Sequence, residues 1–129
     1  MKRTALLISV VLLLGAAVLA AADLTVSAPT AGQTVGPSTV VAGASTERVF
    51  LIIYTEVFDA QTGEQFGRVP GIRHWTFDDN SFRFRIATPR VIGGDLKLKY
   101  VITVAAYSAP PATPGAPDRG SVSVTVYSP

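Results

Sequence analysis

The stretch "SFRFRIATP", residues 81–89, spaces Phe82, Phe84 and Ile86 two apart and sets Arg83 and Arg85 between them. Side chains on an extended backbone point alternately to opposite sides. A period of two therefore puts the apolar residues on one face and the arginines on the other, as a half-buried β-strand requires. The same alternation recurs in "SVSVTVYS", residues 121–128, where Val122, Val124 and Val126 alternate with Ser121, Ser123, Thr125 and Tyr127. In "DLKLKYVITVAAYS", residues 95–108, Leu96, Leu98, Tyr100, Ile102 and Val104 oppose Lys97, Lys99 and Thr103. The segment "ERVFLIIYTEVFD", residues 47–59, departs from this pattern. Its Val49, Leu51, Ile53 and Val57 interleave with Phe50, Ile52, Tyr54 and Phe58, so both faces are apolar. It reads as a central strand covered on two sides, or as one whose outer face is adhesive.

Turn chemistry separates these segments: Pro29 and Gly32, Gly36-Pro37, Thr62-Gly63, Pro70-Gly71, Asp78-Asp79-Asn80, Gly93-Gly94, and the long "SAPPATPGAPDRG" from residue 108. Between them lie seven strands, near 24–28, 38–44, 47–58, 64–69, 81–87, 95–107 and 120–127. After residue 22 no stretch carries a capped apolar stripe of helical period, so no helix is expected. Short strands at this spacing, with no βαβ alternation, indicate an all-β, antiparallel two-sheet sandwich. Pro29, Gly32 and Gly36 end the first strand and let the chain cross to a second one near Val40. The prolines of residues 108–118 predict a stiff, polyproline-like loop before the last strand.

The chain opens with Lys2 and Arg3, an apolar block from Ala5 to Leu19, and Ala20-Ala21-Ala22. That is the pattern of a secretory signal peptide over residues 1–22, although the apolar block also approaches the length of a membrane anchor. Membrane attachment is expected only if this segment stays uncleaved. The chain has no cysteine, so a lipid-modified cysteine anchor is excluded and disulfides carry none of the stability. Removing residues 1–22 from the 129 leaves 107, the size of one domain, 23–129. The formal net charge of +2 comes entirely from Lys2 and Arg3. The remaining domain is neutral and has no general electrostatic reason to bind nucleic acid. Residues 68–99 are locally basic, with Arg68, Arg73, Arg83, Arg85, Arg90, Lys97 and Lys99 against Asp78, Asp79 and Asp95. These read as scattered solvated strand faces or as an anion-facing patch.

Several of these stretches together resemble bacterial immunoglobulin-like domains of the type found in spore-germination and other envelope-associated proteins. They are "VSAPTAGQTVGPSTVVAGAS", "VFDAQTGEQF", "SFRFRI", "GGDLKLKYVITVAAYS" and "GSVSVTVYS". Val41-Ala42-Gly43-Ala44 stands for a small glycine-containing strand, and Asp59 with Gly63 for a turn after the next strand. "RVPGIRHWTFDDN" does not align with that pattern, and the proline-rich loop replaces a polar turn. The resemblance implies an immunoglobulin-like sandwich in a secreted, periplasmic or cell-envelope protein with a binding or structural role and no catalytic residues.

Chemistry is sparse. No thiol is present, and His74 is the single histidine, so neither a thiolate metal site nor a histidine-rich one can form. No nucleophile-elbow sequence supports a serine triad, and no glycine-rich loop precedes a helix to cradle phosphate. Asp78-Asp79-Asn80 fits an Asx-stabilised turn better than a calcium loop. No cofactor, no metal and no enzymatic activity are expected. Trp75, beside Arg73 and His74, fits either a binding hot spot or a cover for the core edge.

In an immunoglobulin-like order the third strand pairs with the sixth and the sixth with the seventh. With Leu98, Tyr100 and Ile102 inward, Lys99, Thr103 and Tyr107 point outward beside Ser123, Thr125 and Tyr127. The third strand adds either the Phe50, Ile52, Tyr54 and Phe58 set or the Val49 set to that face. Tyrosines and aliphatics with few charges make up the cores of interfaces. Either this face, rimmed by the proline-rich loop, contacts a protein partner, a wall polymer or another copy of the chain, or the segment around Trp75 folds over it and makes it ordinary core. The binding residues expected are Tyr54, Tyr107, Tyr127, Trp75, Pro110 and Pro111. A small secreted protease inhibitor is the alternative, because "APTAG", "VIGG" and "SAPP" superficially resemble loops of chagasin-like inhibitors, although their order along the chain differs.

Overall fold

The period-two segments become strands. The computed structural model describes residues 24–90, 95–113 and 115–129. The leader expected over 1–22, the Gly93-Gly94 turn and Pro114 lie outside them. The strands are β1 (Leu24–Ala28), β2 (Ser38–Ser45), β3 (Phe50–Asp59), β4 (Gln65–Trp75), β5 (Ser81–Ala87), β6 (Leu98–Tyr107) and β7 (Ser121–Tyr127). Every strand pairing is antiparallel. One sheet has the order β1-β2-β5 and the other β4-β3-β6-β7. The two inner faces close on one core that includes Leu24, Val41, Phe82 and Ile86 from the first sheet and Leu51, Ile53, Tyr100, Ile102, Val104 and Val126 from the second. The chain is a seven-stranded antiparallel β-sandwich, as its alternation predicts.

Strand β3 lies between β4 and β6 and sends one of its apolar faces into the core, while the other lies on the outside of the sandwich. Leu51, Ile53, Thr55, Val57 and Asp59 are the buried inward set. The outer face therefore receives Phe50, Ile52, Tyr54, Glu56 and Phe58, which resolves the choice left open between the two sets. In register with them stand Tyr107, Ala105, Thr103, Val101 and Lys99 of β6. Beyond β6 come Ser121, Ser123, Thr125 and Tyr127 of β7.

The turns have identifiable locks. Asp59 Oδ1 accepts the Gln61 and Thr62 amides at 2.8 and 3.2 Å, and Gly63 adopts φ +81 in the same turn. Asp79 Oδ1 accepts the Ser81 amide at 3.1 Å and also its hydroxyl, the Asx-type use expected of Asp78-Asp79-Asn80. Between β1 and β2, neighbours in the same sheet, the chain reaches over to β7 of the other sheet, with Gly32 at φ +83. There the Gly32 and Val35 amides donate to the Thr125 and Tyr127 carbonyls, each at 2.8 Å. The glycine- and threonine-rich corner thus covers part of the outer edge of β7 as well as turning the chain. Buried Tyr100 donates its hydroxyl to the Pro89 carbonyl at 2.9 Å. Burial pushes its pKa above the usual 10.0, opposed in part by Arg90.

Two expectations need correction. Pro70-Gly71 does not end the fourth strand near residue 69; β4 continues through both to Trp75. Proline and glycine are tolerated because β4 is an edge strand and its register slips here, with Ile53 opposite Ile72 but Tyr54 opposite Pro70. Gly71 is the extra residue of this bulge, and a Cβ on it would stand 2.5 Å from the Ile53 carbonyl oxygen. The segment that resisted alignment is therefore mostly an ordinary edge strand and does not fold over the sheet. The third and sixth strands also begin later than expected, at Phe50 and Leu98.

Candidate functional site

The outer face of the four-stranded sheet is built in rows across the register. One row runs Trp75, Phe50, Tyr107; the next Arg73, Ile52, Ala105, Ser121; the third Pro70, Tyr54, Thr103, Ser123. Ala105 is the smallest side chain in the middle row and lies between taller neighbours. The depression it leaves is the floor of a groove of about 640 Å³. Ile52, Tyr54, Thr103, Ala105 and Tyr107 form the floor, and Pro70, Gly71 and Arg73 of the bulged β4 form one side. Pro111, Ala112, Gly115 and Pro117 of the proline-rich loop form the other.

That loop is held in place. Tyr107 donates its hydroxyl to the Gly115 carbonyl at 3.1 Å, which ties the far part of the loop to the sheet. At the base, Asp118 accepts the Ser108 amide at 2.9 Å and the Ser108 hydroxyl at 2.6 Å. The hydrogen bond from the Ser108 side chain, followed by that from its backbone, holds the Asp118 carboxyl below its ordinary 3.8, with a smaller contribution from Arg119. Arg119 bridges to Glu47 at 3.5 Å, joining the loop to the connection between β2 and β3.

The face carries more charge than its β3, β6 and β7 residues alone imply, because β4 adds arginines at its edge. Arg68 lies 4.3 Å over the Tyr54 ring and Arg73 5.5 Å over Phe50. Arg48 lies 5.1 Å over Trp75, and Lys99 5.1 Å over Phe58. The expectation of an aromatic face with few charges is thus revised to aromatic rings partly covered by cations. Arg68 also pairs with Glu56 at 3.4 Å. Among the described residues no carboxylate lies within 4.0 Å of Arg73.

Of the expected binding residues, Tyr54, Tyr107 and Pro111 meet in the groove. Pro110 is exposed just outside it. Tyr127 stands at the opposite end of the face, in register with Lys99. Trp75 packs edge-on against Phe50, with ring centres 5.5 Å apart, at the corner beyond the groove. Arg73, Ile52, Ala105 and Pro117 also belong to the site; Ile52 stood in one of the two sets offered to this face and Pro117 in the loop expected to rim it, whereas Ala105 gave no signal in the sequence. Arg73 carried two signals, its place beside Trp75 and its membership of the locally basic stretch 68–99. His74 faces the sandwich flank, its ring 5.3 Å from Phe84, with Nδ1 donating to the Trp75 carbonyl at 2.7 Å. Among the described residues no three histidine or acidic side chains come together as a metal site would require.

No protein-family model matches the chain, and no curated protein or solved structure is significantly similar to it.

Proposed function

We propose that the protein is a secreted or envelope-associated, immunoglobulin-like, non-catalytic binding module that takes a protein partner at the groove on its four-stranded sheet. The immunoglobulin-like part of this reading is supported by topology: strands β3, β6 and β7 share one sheet, and β1, β2 and β5 the other. Export is supported by the basic, apolar and small-residue pattern of residues 1–22.

One observation carries the binding role. A sheet face turned to water ordinarily alternates polar side chains with its buried ones. Here that face presents Ile52, Tyr54, Phe58, Val101 and Tyr107 around a buried Phe50, and a proline loop is pinned over part of it by the Tyr107–Gly115 and Ser108–Asp118 hydrogen bonds. Tyrosine and aliphatic side chains around a preformed depression suit a partner that buries them, because little side-chain or loop freedom is lost on binding.

The test compares the chain with a Tyr54→Asp/Tyr107→Asp variant of native circular dichroism. Both are cross-linked to the envelope fraction of the source cell, and their oligomeric state is measured in parallel. Capture of a discrete protein by the parent and not by the variant is the expected result. Capture of polysaccharide alone transfers the role to a wall polymer, and a groove-dependent dimer makes the partner a second copy. Capture of nothing, or equal capture by both, overturns the reading.

A further inference from the structure

We propose that the groove selects an extended acidic peptide, in which an aspartate or glutamate adjoins an apolar residue or proline; this rests on the protein-binding reading above and names the chemistry of the partner. Tyr107 stands in the Phe50 row, and Tyr54 lies four residues further along β3. At about 3.4 Å per residue, the two tyrosines bracket a floor roughly 14 Å long, the span of about four extended residues. Ile52 and Ala105 between them offer an apolar contact without hydrogen-bonding demand, and Pro111 and Pro117 add a rigid wall. A side chain seated there is aliphatic or a proline.

Charge sets the flanking residue. Among the described residues, the charged ones lining the groove are Arg68 and Arg73, both positive. Arg68 is partly satisfied by Glu56 and by the Tyr54 ring. Arg73 has no such carboxylate among the described residues, and it lies over the Phe50 ring. Its guanidinium carbon is 5.5 Å from the ring centre, and among the described residues its N–H groups make no side-chain hydrogen bond, which leaves them to a carboxylate that a guanidinium can grip at two points. Arg73 sits in the Ile52–Ala105 row, level with the middle of the floor. It therefore meets a side chain next to the one that fills the depression. A polyanion without apolar side chains satisfies the arginine and leaves the floor unused.

The probe is a bead-displayed library of random octapeptides sorted against the full chain, followed by fluorescence anisotropy with an enriched peptide. The expected enrichment is in sequences pairing Asp or Glu with Pro, Val, Leu or Ile. Arg73→Gln is expected to weaken the enriched peptide by roughly tenfold or more. Arg73→Lys recovers part of this loss, and added salt weakens the parent more than it weakens Arg73→Gln. Arg83→Gln, exposed on the outer side of the other sheet opposite Ala42, leaves binding unchanged. Enrichment without an acidic excess, or competition by polyphosphate as strong as by the peptide, overturns the acidic selectivity. If Tyr54→Asp/Tyr107→Asp abolishes that binding, the protein-binding reading still stands. Undiminished peptide binding by the tyrosine variant overturns both. No enrichment at all overturns the peptide proposal, and capture of a folded envelope protein then decides the broader reading on its own.

Discussion

At the scale of single residues, Gly43 shows how a close approach dictates composition. It sits in β2 between β1 and β5, opposite Val26 and Phe82. A Cβ there would fall onto the Thr25 carbonyl oxygen and the Phe82 ring. Phe82 is fully buried and the Thr25 carbonyl belongs to a paired strand, so neither yields cheaply. Gly43→Ala is expected to destabilise the fold by roughly 1–3 kcal/mol, read as a lower urea midpoint with an unchanged slope. A neutral outcome would mean that β1 shifts freely at its bulge between Val26 and Ala28. The role was half visible in the sequence, where the small residues around Gly43 mark a tight strand but do not say what approaches it.

At the scale of elements, the proline-rich loop owes its position to few bonds. Prolines lower the entropy of the free loop, yet a stiff segment still needs something to aim it. Tyr107 does this through the Gly115 carbonyl, and Asp118 fixes the base through Ser108. Tyr107→Phe keeps the ring on the floor and removes only the tether. It is expected to raise amide exchange and protease cleavage within 108–120, with a global stability change within about 1 kcal/mol. Unchanged exchange would show that packing by Pro111 and Pro117 alone holds the wall. Strand β4 is held differently, since its arginines stack on the rings of β3 and its bulge at Gly71 turns the edge. Proline, a bulge and charges are the features that keep an exposed edge from pairing with another chain.

At the scale of the whole molecule, stability rests on one apolar core without disulfides, and acid acts on it through carboxylates. Asp79 and Asp118 are both held below the ordinary 3.8, each chiefly by a serine side-chain hydrogen bond, from Ser81 and Ser108 respectively. A carboxyl whose folded pKa is depressed contributes stability that is present above its unfolded value and lost as pH falls through the folded one. Thermal stability is therefore expected to be level in these two contributions above pH 3.8 and to decline below it. Both groups are fully exposed, so the decline is shallow. In Asp79→Asn/Asp118→Asn it should flatten further, as scanning calorimetry between pH 5 and pH 2 would show. A decline of equal slope in the variant would assign it to other carboxylates.

The sequence by itself determined that this is an all-β domain, where most strands lie and which residues of β5, β6 and β7 face inward, because alternation and turn chemistry are local and the pleat translates them directly into faces. It also marked Tyr54, Tyr107 and Pro111 as surface aromatics and a stiff loop wall. Only the tertiary structure decided that Pro70 and Gly71 lie inside an edge strand, because an edge tolerates what a central strand does not and edge position is not written in the segment. It likewise decided which face of β3 is outward, since with both sets apolar the choice belongs to the register with β6. The groove depends on Ala105 lying level with Ile52 and Arg73, three residues from three strands that meet only when the ladders form.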